Sequence, residues 1–225
     1  MSQPAPTANC SRSTSLPPAE LGQPSNIDGL KADLVYYKCS GAYLAEFSRA
    51  IDEANSYVIQ RAKNVSKPAL VLDIDETSLS NWEEIQADDF GFIPEGSCDG
   101  LPKGPCGDDA WERLARATAI EPTLNLFKIA SDHNVAVFFI TGRKNKFREA
   151  TEKNLRAAQY IGWTDLLLKP DNDTSTVQQF KTAMRKQIED KGYTIIANVG
   201  DQYSDLNGGH AERTFKVPNP FYFIP

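Results

Sequence analysis

Asp73 and Asp75 stand one residue apart in LVLDIDETSLSN (70–81), where an apolar run ends in carboxyl groups and a threonine. Carboxylates held this close repel one another unless a cation, a shared proton or a positive side chain offsets them. Two later apolar runs end in a similar way: VFFITGR closes on Thr141, Gly142 and Arg143, and IIANVGDQYSDL on Asp201 and Asp205. If all three are parallel strands of one sheet, their carboxyl ends share an edge and these residues converge there. A crevice so rich in carboxylates calls for a cation. An oxygen donor set without His or Cys points to Mg²⁺ rather than zinc. A metal beside a free carboxylate, a threonine hydroxyl and a basic side chain suits phosphoryl transfer, in which charge is neutralised while one nucleophile stays in line. The basic residue expected is Lys181, early in the helix before GDQYSDL, with Lys169 and Lys186 as alternatives by position.

The elements that must position these residues follow from periodicity. Leu30, Leu34 and Tyr37, then Leu44, Phe47, Ile51, Ala54 and Val58, recur at spacings of three and four, which predicts two helices between Ile27 and Asn64, divided at Gly41. Lys67-Pro68 breaks the pattern, and ALVLDI follows as a nearly continuous apolar run, the mark of a strand covered on both faces. From Asn81 to Asp109 turn residues dominate and no period emerges, as in an inserted lid. Helices are then predicted at 110–117, from Pro122 to Ala130, at 146–160 and at 176–191, alternating with strands VAVFFI, the LLL near Leu166, TIIANV and TFKV. This alternation implies βαβ crossovers. The expected fold is α/β: a Rossmann-like parallel sheet with helices on both faces, and a small cap from the N-terminal helices (about 27–64) plus the insertion after the first strand (about 80–118). Residues 1–26 read as a flexible leader and 27–225 as a single domain.

DIDET, ITGR, a lysine in the next helix and GDQYSDL, in that order, resemble the four motifs of the haloacid dehalogenase superfamily of phosphohydrolases. The DIDETSLSN form, the Tyr-Tyr stretch upstream and the ending FKVPNPFY are similar to its subclass IIIB acid phosphatases, which include class C bacterial acid phosphatases and plant vegetative storage proteins. The resemblance runs from about Ile27 to the carboxyl end. It implies Mg²⁺-dependent hydrolysis of phosphate monoesters at acidic pH. Asp73 matches the nucleophile that becomes an aspartyl-phosphate and also touches the metal. Asp75 matches the general acid and base, with its backbone carbonyl on the metal. A carboxyl beside an ionised neighbour tends to keep its proton, which suits that role. Thr141 and Lys181 would hold phosphoryl oxygens, Asp201 would ligate Mg²⁺ directly, and Asp205 directly or through water. Gly142 and Arg143 join Thr141 as candidate substrate contacts, with an ion pair that braces the motif loop as the equal alternative for Arg143. Trp82, Phe90 and Phe92 can stack on an aromatic leaving group such as the base of a nucleoside monophosphate, with packing of the cap as the equal alternative for Trp82 and the favoured one for Phe90 and Phe92. A storage or binding protein of the same fold, or a phosphotransferase, is the alternative.

A formal charge of -6 and a pI near 5.0, with Lys and Arg scattered, exclude a nucleic-acid polymer as partner. No run approaches the roughly 18 apolar residues of a membrane span. The Pro-, Ser- and Thr-rich first segment fits the remnant of a processed secretory protein, so a periplasmic or secreted location is expected, with a cytoplasmic one as alternative. Cys98 and Cys106 bracket a Gly/Pro-rich loop that a disulfide can close, and Cys10 and Cys39 can form a second pair.

Overall fold

The structure, a computed structural model, describes residues 26–224. The expected leader, apart from Asn26, and the Cys10 half of the second cysteine pair lie outside the described residues. Along the chain come α1 (Ile27–Cys39), α2 (Ala42–Ala62), β1 (Pro68–Leu72), β2 (Leu79–Ser80), α3 (Trp82–Ala87), α4 (Asp108–Leu114) and β3 (Thr118–Ala119). There follow α5 (Glu121–Asp132), β4 (Ala136–Lys144), a 3₁₀ turn (Asn145–Phe147), α6 (Arg148–Ala157), β5 (Asp165–Lys169), α7 (Val177–Asp190), β6 (Thr194–Gly200), α8 (Tyr203–Leu206) and β7 (Arg213–Lys216). Five strands form one parallel sheet in the order β5-β4-β1-β6-β7. The strand that ends in Asp73 is therefore central, flanked by the strands that end near Thr141 and Asp201.

Why β1 is an unbroken apolar run is visible in its packing. Leu70 and Leu72 point to the face covered by α2, α5 and Leu155 of α6, while Ala69 and Val71 point to the face covered by Phe180 and Ile188 of α7. A strand buried on both faces leaves no position for a polar side chain until it leaves the sheet. On α2, Phe47, Ile51, Ala54 and Val58 form one buried stripe, so this helix is part of a sheet-covering layer. Burial of each large side chain there contributes roughly 1.5–3 kcal/mol relative to exposure. Gly41 divides α1 from α2 as expected, because its φ of +84° is costly for a residue with a β-carbon. In α1 no residue is fully buried.

Two differences from the sequence-based expectations stand out. The segment after β1 contains α3 and a two-stranded antiparallel ribbon, Leu79 opposite Ala119 and Ser80 opposite Thr118. Elements of two to six residues are too short to show a period. Helix α4 begins at Asp108, slightly earlier than expected, and α6 ends at Ala157, earlier than the predicted Tyr160. The Cys98–Cys106 bridge is formed, closing the loop between α3 and α4. A short hydrogen bond from the Cys106 N–H to Asp88 Oδ1 (2.7 Å) anchors that loop to the end of α3.

Candidate active site

Asp73 follows β1 directly, and its N–H donates to Val199 O (3.1 Å), so the end of β1 is pinned to β6. Its carboxylate is buried and accepts from the Lys181 ammonium, which also donates to Asp205 Oδ1 (2.7 Å). The register of Lys181 is set by the start of α7, where Thr176 and Gln179 cap one another reciprocally: Gln179 N–H to Thr176 Oγ1 at 3.1 Å, Thr176 N–H to Gln179 Oε1 at 3.0 Å. Phe180 and Ile188 then anchor the helix to the sheet, and Lys181 emerges at the strand ends. The two alternative lysines lie elsewhere: Lys169 donates to Ser175 O and Lys186 pairs with Asp190 (2.8 Å).

Asp201 and Asp205 are held from the other side of the cluster. Asp201 Oδ1 accepts from Thr77 Oγ1 (3.2 Å), and its Oδ2 from Gln202 Nε2 (2.8 Å) and Asn219 Nδ2 (2.7 Å). Asp205 Oδ2 accepts from the Gln202 N–H (2.8 Å), closing a capping box on α8. The loop behind them is braced by Arg185, fully buried, which donates to the carbonyls of Asp205, Asn207 and Gly209. Asp73, Asp201 and Asp205 bring one oxygen each to within 4.8 Å of one another. One ammonium cannot offset three buried carboxylates. Burial, and then the neighbouring acids against the pull of Lys181, hold Asp73 well above the usual carboxylate range; burial and Asp205 push Asp201 up to about 7. Hard oxygen donors with unbalanced negative charge fit a divalent cation.

Asp75 faces the other way, and its carboxylate lies outside that cluster. Arg143, buried, grips it through Nη2 to Oδ1 (2.6 Å) and Nε to both oxygens (3.1 Å), and Asn81 Nδ2 donates to Oδ1 (2.9 Å). Burial alone would raise this carboxyl, but Arg143 and Asn81 outweigh it, and its pKa lies below the ordinary value. The expectation that Asp75 readily keeps its proton is therefore corrected: a guanidinium in contact counts for more than an acidic neighbour farther off. Arg143 braces Asp75, and both line the cleft with Gly142. Thr141 is fully buried, with its hydroxyl accepting from the Arg143 N–H (3.1 Å), and is not among the lining residues. Trp82 also stands behind the wall rather than in it, packed on Phe90 and Phe221 (ring centroids 6.0 and 5.1 Å), whereas Phe90 and Phe92 do line the cleft. The first turn of α3 directs the Trp82 ring into that aromatic cluster.

Several residues of the site escaped the sequence reading. Asn81 donates its N–H to Glu76 Oε1 (2.6 Å) and Nδ2 to Glu76 Oε2 (2.9 Å), and its Oδ1 accepts from Trp111 Nε1 (2.8 Å). Glu76, buried with a left-handed φ of +53°, also accepts from Tyr222 Oη (3.0 Å). These bonds fix the tight turn that aims Asp75 at Arg143. Asn81, Asn219 and Tyr222 belong to stretches singled out by resemblance, yet neutral side chains carry no charge signal to mark them. Gly200 is a positional requirement: a β-carbon there would lie 2.4 Å from Asp205 Cβ and 2.6 Å from its Oδ2. We expect Gly200→Ala to displace Asp205 and weaken divalent-cation affinity at least about tenfold, as outer contacts of metal sites do; isothermal titration with Mg²⁺ measures it, and unchanged affinity would remove Asp205 from the cation site.

Residues 23–225 match the family described as HAD superfamily, subfamily IIIB (acid phosphatase). The chain is 35% identical to the stem 28 kDa glycoprotein of Glycine max over 70% of its own length and 61% of that protein's. It is 31% identical to acid phosphatase 1 of Solanum lycopersicum, over 84% of this chain and 72% of that one. It is 30% identical to vegetative storage protein 1 of Arabidopsis thaliana, over 72% and 58% respectively. It thus spans about three fifths of two of these relatives and nearly three quarters of the other. The class C acid phosphatase from Bacillus anthracis shares the fold, with a TM-score of 0.68 at 24% identity over 87% of this chain and 85% of that one. By this family match the chain belongs to the subfamily IIIB acid phosphatases of the HAD superfamily.

Proposed function

We propose that the protein hydrolyses phosphate monoesters by a double displacement through Asp73, with Mg²⁺ held by Asp73, Asp201 and Asp205 and by the backbone carbonyl of Asp75. The observation that carries this reading is the buried Asp73–Lys181–Asp205 chain set beside a separately held second carboxylate, Asp75. When bound, Mg²⁺ supplies charge neutralisation for the phosphoryl oxygens and for the aspartates. Asp73 Oδ attacks phosphorus, the ester oxygen departs with a proton from Asp75, and the resulting acyl phosphate is cleaved by water whose proton returns to Asp75. Lys181 restrains Asp73 and counters charge on the phosphoryl group. Thr141, beneath the cleft floor, and Gly142, on it, shape the phosphoryl pocket. Arg143 and Asn81 hold the Asp75 carboxyl below its ordinary value, so that Asp75 ionises readily and can take the proton of the attacking water. Phe90 and Phe92 offer apolar surface for the leaving group, a nucleoside included.

A storage role is the second reading, favoured by kinship with vegetative storage protein 1. The disulfide supports work in an oxidising compartment, periplasmic or secreted, and no helix among the described residues is long and apolar enough to cross a membrane. Phosphate release from p-nitrophenyl phosphate at about pH 5 separates the readings. We expect turnover that chelator abolishes and Mg²⁺ restores, and a rise in stability of about 2.7 kcal/mol when Mg²⁺ is present at a hundred times its Kd. Turnover indifferent to chelator overturns the metal assignment; Mg²⁺ binding without any turnover favours storage.

A further inference from the structure

The cleft, about 550 Å³, extends past Asp75 along a wall formed by α3 and α4. Glu84 of α3 and Glu112 of α4, 8% and 9% exposed, line this wall together with Asp108. Neither glutamate carboxyl has a hydrogen-bond partner among the described residues, and Glu112 Oε2 is fully enclosed without one. None of the surrounding cations donates a hydrogen bond to these acids. Arg143 spends Nε and Nη2 on Asp75, and its Nη1 reaches none of these acids. Lys146 bridges to Asp109 (2.6 Å), and Lys144 donates to the carbonyls of Pro170 (3.4 Å) and Asp173 (3.2 Å).

A change of protonation does not satisfy the wall. An ionised Glu112 is a buried charge with no hydrogen-bond donor, offset only by the pull of Arg143 from a distance, and a protonated one is a buried donor without an acceptor; each state is unfavourable. Burial and the neighbouring acids push Glu84 up to about 9, and burial, with Asp75 and Asp108 opposing the pull of Arg143, pushes Glu112 up to about 8. A second metal ion is a poor match. Among the described residues only Asp73, Asp201 and Asp205 bring three ligand atoms within 4.8 Å, so the wall acids are too spread for one ion. A ligand cation that donates several hydrogen bonds and arrives on a flexible arm meets the need. The arm must start at the ester oxygen, since Asp75 serves the leaving group.

Building on the phosphatase reading above, we propose that this wall is an ammonium subsite and that the preferred substrates are phosphate monoesters of primary amino alcohols. The ammonium donates to Glu112 and Glu84, with Asp108 adding charge, while the phosphoryl group lies between Lys181 and the three aspartates. A primary ammonium has three N–H donors for the unpartnered oxygens, and a trimethylammonium has none.

The test compares kcat/KM of the Mg²⁺-loaded protein for 2-aminoethyl and 3-aminopropyl phosphate with that for ethyl and propyl phosphate, with p-nitrophenyl phosphate run in parallel. We expect at least one amino ester to exceed its alkyl analogue by tenfold or more, and that ratio to fall towards one in Glu112→Gln. Equal or poorer turnover of both amino esters by the wild-type protein overturns the subsite, as does a preference for phosphocholine over 2-aminoethyl phosphate. If no ester at all is hydrolysed, the phosphatase reading fails, and calorimetric binding of the same pairs decides the subsite by itself: tighter binding of an amino ester supports it, equal binding overturns it.

Discussion

Asp73→Asn is expected to lower phosphate release by at least about 10⁴-fold, the scale on which removal of a covalent nucleophile disables an enzyme. Asparagine preserves the shape and one acceptor oxygen, so Lys181 keeps a partner. What is lost is the attacking carboxylate, and the remaining groups have nothing to transfer the phosphoryl group to. Stability should not fall with activity. Asp73 is buried among Asp201 and Asp205, and its carboxyl is held well above the usual range by burial and by those neighbours, so removing the charge relieves repulsion. Urea denaturation of both proteins without metal should show the variant at least as stable as wild type. Residual activity within tenfold would mean that water attacks phosphorus directly. A stability loss above about 2 kcal/mol would make Asp73 chiefly the anchor of Lys181.

Lys181→Met is expected to act on both axes. The methionine nearly matches the stem of lysine, but the ammonium that touches Asp73 and Asp205 is gone. Three carboxylates then face one another in a buried crevice, and breaking a buried pair from one side costs about 3–5 kcal/mol. We expect a loss of that size in metal-free protein, partly recovered by saturating Mg²⁺, which replaces the missing positive charge. Turnover should stay depressed even where Mg²⁺ restores the fold, because the cation does not take the place of Lys181 on the phosphoryl oxygens. Paired denaturation curves with and without Mg²⁺ check the first part and steady-state rates the second. If Mg²⁺ fails to narrow the stability gap, the three aspartates are not the cation site.

Charge at strand ends made the centre of the site readable. Asp73, Thr141, Asp201 and Asp205 could be placed at one edge because a two-face-buried strand pushes its first polar residues to its end, and a parallel sheet puts all such ends together. Position early in the helix before GDQYSDL favours Lys181 but leaves Lys169 and Lys186 open, and the register of α7 separates them. The structure altered what depends on turns and short contacts. Asp75 and Arg143 belong to the same expected edge, but their direct grip depends on the left-handed turn at Glu76, held by Asn81 and Tyr222. Trp82 was drawn towards substrate by its place just after the motif, but the first turn of α3 points it into the Phe90–Phe221 cluster. The wall of Glu84 and Glu112 was hidden for a related reason: two short helices, joined by an irregular disulfide-closed loop, bring distant acids together without leaving any periodic trace.

The central place of β1 has a consequence for how the molecule comes into being. Its register partners are Ala136–Phe139 on one side and Thr194–Val199 on the other, each far along the chain. Pairing across such separations closes large loops before any contact rewards the entropy lost, and topologies of this kind mature slowly. A growing chain can lay β4 against β1 well before β6 exists, yet Asp73 gains its N–H bond to Val199 and its cluster partners only when β6 docks. The repelling carboxylates of Asp73, Asp201 and Asp205 can therefore meet only once β6 has docked, when most of the chain that supplies the apolar core already exists.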